Sequence, residues 1–111
     1  MTILRAHGRL RVPEMNRTER DYAALLAVRR AAGEVAWFAF EPLKLRLADN
    51  TFYTPDFIVM LANGLLEVHE VKGYWQDDAR VKIKVAAKTF PFKFIGATWD
   101  KKLQGWKYEE F

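Results

Sequence analysis

The chain has 111 residues, half of them hydrophobic, with 14% aromatic, no cysteine, and eighteen Lys+Arg against fourteen Asp+Glu for a net charge of +4. That length and apolar content fit one compact domain over 1–111 and exclude a disordered or low-complexity chain. The missing cysteines exclude disulfide frameworks and thiolate metal sites and fit a reducing cytoplasm, while the basic surplus favours polyanionic partners such as nucleic acid.

The first residues, MTILRAHGRLRV, carry no long apolar core or small-residue cleavage signal, so no signal peptide is expected. No apolar run reaches the roughly 20 residues that cross a bilayer, so no membrane partner is expected. Within residues 4–12, Leu4, Ala6, Gly8, Leu10 and Val12 alternate with Arg5, His7, Arg9 and Arg11. This period of two reads either as a charged edge strand or as a basic arm along phosphates.

NRTERDYAALLAVRRAAG predicts a helix. Asn16 and Glu19 have capping-box spacing, Tyr22, Leu25 and Leu26 form an apolar stripe, and Gly33 ends it. The apolar run 35–40 follows, up to a break at Pro42. Three strands, 43–47, 52–61 and 65–72, are then expected to run as a meander. The second is bent at Pro55, and the last two are joined by an Asn63-Gly64 hairpin turn. Pairing about that turn sets residue 56 opposite residue 70 across the sheet.

Residues 77–90 carry conflicting signals. Val81, Ile83 and Val85 alternate with Arg80, Lys82 and Lys84, as in a strand, while the opening acids, the alanines and Lys88 suit a helix. Topology favours the helix: residues 92–99 form a strand, and a parallel return after 65–72 needs a crossover. A helix puts Arg80, Lys84 and Lys88 on one stripe. Residues 105–111 are a short edge strand at most.

The candidate chemistry lies at the ends of two strands. On 65–72, Leu66, Val68, Glu70 and Lys72 share a face, so an apolar side runs into a carboxylate and an ammonium. Burying either charge costs several kcal/mol unless it is paired or bound to a metal. Asp56, opposite Glu70, adds a second carboxylate. Two such groups side by side need a cation, and oxygen ligands suit Mg²⁺ or Mn²⁺. Duller readings stand beside these: Asp56 as a turn residue, Glu70 and Lys72 as a solvated pair, Glu19 as a cap only. Glu67 and His69 fall on the opposite face, with His69 read as a surface residue. Tyr74 and Trp75 read as packing residues ahead of base-stacking platforms. Trp99 and Trp106 read as core or dimer contacts.

Pro55-Asp56 followed by Glu70-Val71-Lys72 resembles the PD-(D/E)xK motif of the restriction-endonuclease-like nuclease superfamily. Within it, the chain looks most like small phage-encoded nucleases, including endonuclease I-type Holliday junction resolvases. The resemblance covers about residues 16 to 99. It implies an α/β fold with a restriction-endonuclease-like core, helix–three-strand meander–helix–strand, its mixed sheet flanked by helices. Asp56, Glu70 and the Val71 carbonyl would ligate Mg²⁺ (or Mn²⁺), with Glu19 as a further metal residue. Lys72 would orient the attacking water or stabilise charge on the scissile phosphate. Arg80, Lys84 and Lys88 of the second helix, and Arg5, Arg9 and Arg11 of the arm, are the nucleic-acid-binding candidates. The implied protein is a Mg²⁺-dependent DNA endonuclease of the host cytoplasm. It would be a homodimer on branched or junction DNA, leaving 5′-phosphates. A non-catalytic DNA-binding or adaptor protein on the same fold is the alternative.

Overall fold

The computed structural model describes residues 13–73, 75 and 77–111. The arm that carries Arg5, Arg9 and Arg11 lies outside the described residues. The order of elements is α1 (Arg17–Ala31), β1 (Val35–Phe40), β2 (Leu45–Ala48), β3 (Thr51–Tyr53), β4 (Phe57–Leu61), β5 (Leu66–Lys72), α2 (Asp77–Thr89), β6 (Lys93–Asp100) and β7 (Gly105–Glu110). The architecture is α/β. A mixed five-stranded sheet has the order β1-β4-β5-β6-β7, and β2 and β3 form a separate two-stranded sheet.

α1 begins as its sequence requires. Asn16 accepts from the Glu19 N–H at 2.8 Å, and Glu19 returns the bond to the Asn16 N–H at 2.8 Å. Both ends of a capping box are therefore made, satisfying two donors that a helix start otherwise leaves open. Tyr22 and Leu26, one turn apart, are fully buried.

The β4–β5 hairpin has the register set by its Asn-Gly turn. Phe57 pairs with His69, Ile58 with Val68 and Val59 with Glu67. Alternation then sorts side chains to the two faces. Phe57, Val59, Val71 and Ala97 pack with Tyr22 and Leu26 of α1. Ile58, Val68 and Phe94 pack with Ile83 and Ala86 of α2 and with Leu45 and Tyr53 of the small hairpin. A sheet covered on both faces explains why β5 is buried from Glu67 to Val71.

The ambiguous segment is a helix. Ile83 and Ala86 are fully buried, while Val81 is 58% and Val85 40% exposed, which a half-buried strand would not produce. α2 carries the chain over the sheet so that β6 lies parallel to β5, pairing Glu70 with Gly96 and Lys72 with Thr98.

The meander differs from expectation. Its first strand is β1, paired antiparallel to β4 with Phe40 opposite Phe57. The 43–47 segment instead supplies β2, which turns back through Asp49-Asn50 onto β3. Two local features impose this. Asn50 takes a left-handed backbone (φ 53) in that tight turn. Pro55, which has no N–H to give a ladder, splits the 52–61 run into β3 and β4. Among the described residues, no helix is long and apolar enough to cross a membrane.

Candidate functional site

Asp56 lies one residue before β4, and Glu70 lies in the last third of β5, so the observed register brings them together. Side-chain to backbone bonds tie the two. The Val71 N–H donates to Asp56 Oδ2 at 2.8 Å, and the Asp56 N–H donates to Glu70 Oε1 at 3.1 Å. The Tyr53 hydroxyl also donates to Glu70 Oε1, at 2.8 Å. The Glu41 N–H holds the Asp56 carbonyl at 2.8 Å. Glu41 does so from a left-handed backbone (φ 46), a conformation that costs a non-glycine residue of order 1 kcal/mol.

The outcome is the same for both carboxylates: the scaffold occupies one oxygen and leaves the other available. Asp56 Oδ1 takes no hydrogen bond among the described residues and reaches the surface, since no buried side-chain polar atom lacks a partner. Among the described residues, Glu70 Oε2 meets only Lys72 Nζ, at 3.4 Å. Both acids are nearly buried, at 8% and 7% exposure. Burial, then the charge of Glu70, pushes the Asp56 carboxyl up to about 8, against the opposing Val71 N–H. Burial also raises Glu70, opposed by its bonds from Tyr53 and Lys72. Burial and the adjacent Glu70 charge raise the Tyr53 hydroxyl well above the usual tyrosine range.

A cleft of about 370 Å³ opens over Glu70 and Lys72, walled by Tyr53, Thr54, Asp78 and Lys82. Tyr53 and Lys82 are site residues that sequence reasoning missed. The available signals were the position of Tyr53 three residues before Asp56 and the i, i+4 spacing of Asp78 and Lys82. The stripe favoured from sequence turns elsewhere. Arg80 makes two bonds to Glu109 of β7, at 3.0 and 2.6 Å, and lies over the rings of Trp75 and Phe111. Lys84 acts on the same Glu109, and Lys88 is exposed near the end of α2. Trp75 packs on Phe111 and leaves no room for a β-carbon at Gly96, a packing role.

Glu19 keeps its carboxylate in the capping box, yet its charge is felt at Asp56. Among the described residues, no group of three or more His, Asp or Glu side chains converges on one point. Asp56 and Glu70 are two carboxylates, and a metal held there would draw on those two side chains alone. That fits Mg²⁺, which binds through one or two carboxylates and keeps the rest of its shell as water and substrate phosphate.

His69 is a correction. Its ring is 1% exposed, because α1 covers the face that parity assigned to it. Tyr22 Oη lies 2.6 Å from Nδ1, and Glu67 Oε1 lies 2.9 Å from Nε2. The Glu67 carboxylate can only accept, so Nε2 carries the hydrogen and donates to it, which leaves Nδ1 of the neutral ring to accept from the Tyr22 hydroxyl. This bond from His69 holds Glu67 below the usual carboxylate range. Comparison with family models, curated proteins and solved structures finds no match for this chain.

Proposed function

We propose that the protein is a Mg²⁺- or Mn²⁺-dependent DNA endonuclease with a restriction-endonuclease-like core. The observation that carries this reading is the shared design of Asp56 and Glu70. Each has one oxygen anchored by a backbone N–H; Glu70 turns its other oxygen to the Lys72 ammonium in the cleft, and Asp56 keeps Oδ1 without a hydrogen bond among the described residues. Two buried carboxylates without a cation are unfavourable neighbours. Hydrogen bonds that keep them adjacent support a site for a positive charge.

Asp56 Oδ1 and Glu70 Oε2 would hold the cation, with the Val71 carbonyl beside them. Bound there, Mg²⁺ or Mn²⁺ supplies Lewis-acid polarisation of a phosphate and a lowered water pKa, from 15.7 towards about 7 in the best cases. Tyr53 and the Asp56 N–H fix the Glu70 rotamer, so the site needs no rearrangement as charge develops. Lys72 places a point charge next to Glu70 Oε2 in a partly dry site, suited to a phosphate oxygen or to orienting the attacking water. Lys82 extends the positive wall along α2. Branched DNA held by a homodimer is the substrate this reading favours, because one small domain has one site and a junction needs two cuts.

Supercoiled plasmid and four-way junctions incubated with Mg²⁺, Mn²⁺ or EDTA test it. Wild type is expected to cut with either metal and not in EDTA, and Lys72→Ala to cut both substrates about 10²- to 10³-fold more slowly. Retention of DNA with every substrate left intact overturns the nuclease reading in favour of a non-catalytic DNA-binding protein.

A further inference from the structure

A second cleft lies at the same end of the sheet, on its other face. It measures about 470 Å³ and is lined by Arg17, Thr18, Asp21, Trp99, Lys101 and Trp106. That size is within the range of small-molecule pockets, about 300–1,000 Å³. The register locates it. Lys72 pairs with Thr98, so Trp99 and Lys101 lie just past the end of β5 that bears Glu70 and Lys72. Ala97 packs towards α1, and Trp99, two residues on, shares its face. The start of α1 serves both: Arg17, Thr18 and Asp21 line this cleft, and the charge of Glu19 helps to raise Asp56.

The aromatic wall is held rigidly. Trp106 stands edge-on to buried Tyr22, ring centres 4.9 Å apart, and edge-on to its cross-strand partner Trp99 at 5.4 Å. Trp99 nonetheless stays 38% exposed. The β6–β7 turn that carries Lys101 is tied by Asp100, which accepts from the Lys102 and Leu103 N–H groups at 2.8 and 3.0 Å. Neither Arg17 nor Lys101 has an ion pair among the described residues.

We infer that this cleft takes an unpaired base of a DNA strand whose backbone continues to the carboxylate site. An indole platform with two cations that have no ion pair among the described residues, against the single acid Asp21 of the lining, matches a nucleotide: the base stacks, and its phosphates meet Arg17 and Lys101. A base inside a duplex already spends both faces on its neighbours, so the cleft selects single-stranded, flapped or unstacked positions. The inference rests on the nucleic-acid reading of the carboxylate site, and it gives that site a substrate class: DNA with an unpaired nucleotide next to the cut.

The test is anisotropy of labelled oligothymidylate and of a blunt duplex, in EDTA at about 50 mM salt, where phosphate contacts are strong. Trp99→Ala is expected to weaken oligothymidylate binding roughly 5- to 100-fold, the range for losing one base–aromatic stack. It should leave duplex binding unchanged. Trp99→Phe should restore most of the affinity, and thermal unfolding of both variants verifies the fold. Arg17→Ala/Lys101→Ala, at exposed positions, should reduce the single-strand salt slope by about 1.4. Trp99→Ala binding oligothymidylate as wild type does, or losing duplex binding equally, overturns the inference. Lys72→Ala separates the two readings, because it should slow cleavage about 10²- to 10³-fold while oligothymidylate binding keeps its dependence on Trp99. Absent cleavage with Trp99-dependent binding sinks only the nuclease.

Discussion

The backbone N–H of Asp56 donates to the side chain of Glu70 at 3.1 Å, while the residue after Glu70 donates its own N–H to the side chain of Asp56 at 2.8 Å. This reciprocal tie makes the two acids one unit. Loss of either carboxylate should therefore cost the same. Asp56→Asn and Glu70→Gln keep shape and hydrogen bonding but remove charge. Each is expected to lower Mg²⁺-dependent cleavage by at least about 10²-fold, and the double variant little further. Single-turnover rates on a junction substrate measure it. Unequal losses that multiply in the double variant contradict one shared cation site.

Lys72 is one-third exposed and, among the described residues, pairs only with Glu70. Its removal should be a functional loss without a structural one. Lys72→Ala is expected to reduce the cleavage rate about 10²- to 10³-fold and to change the unfolding free energy by under ~1 kcal/mol. Denaturant titration beside the rate assay checks both halves.

The buried pair also makes stability depend on pH. Asp56 moves from an ordinary 3.8 to about 8 on folding, and Glu70 moves the same way. Between those values the folded chain keeps a proton that the unfolded chain has released. Stability is therefore greatest at the acid end of this window and falls as pH rises through it. Glu67, shifted the other way by its bond from His69, acts only below its ordinary 4.5. In EDTA, the melting temperature should drop by at least ~4 °C between about pH 5 and pH 8, the shift that about 1 kcal/mol produces in a domain of this size. Asp56→Asn should flatten that slope, and millimolar Mg²⁺ should raise the melting temperature selectively at the alkaline end. Differential scanning calorimetry reads all three.

The Tyr22–His69–Glu67 chain should be structural. His69→Ala removes a fully buried ring and takes a hydrogen-bond partner from both the Tyr22 hydroxyl and the Glu67 carboxylate. The expected loss is about 2–4 kcal/mol. Cleavage per folded molecule should be unchanged, because this chain lies on the sheet face opposite Lys72. A specific loss of rate without loss of stability would give His69 a catalytic part instead.

Short-range rules wrote much of this protein into its sequence. The Asn16–Glu19 box starts α1, the Asn63-Gly64 turn sets the hairpin register, and that register alone puts Asp56 across from Glu70. The parallel return of β6 follows from the need for a crossover. These features depend on neighbours a few residues apart, so period and turn chemistry suffice to read them. What covers each face is not local. Parity put His69 away from Glu70, but only the docking of α1 decided that this side is interior. Whether β1 or the 43–47 segment would flank β4 depended on Pro55 and the Asn50 turn diverting β2 and β3 to the far side. The choice of Lys82 over Arg80 to wall the cleft came from the rotation at which α2 packs Ile83 and Ala86 onto the sheet, a balance of burial over the whole helix face that no single residue in it determines.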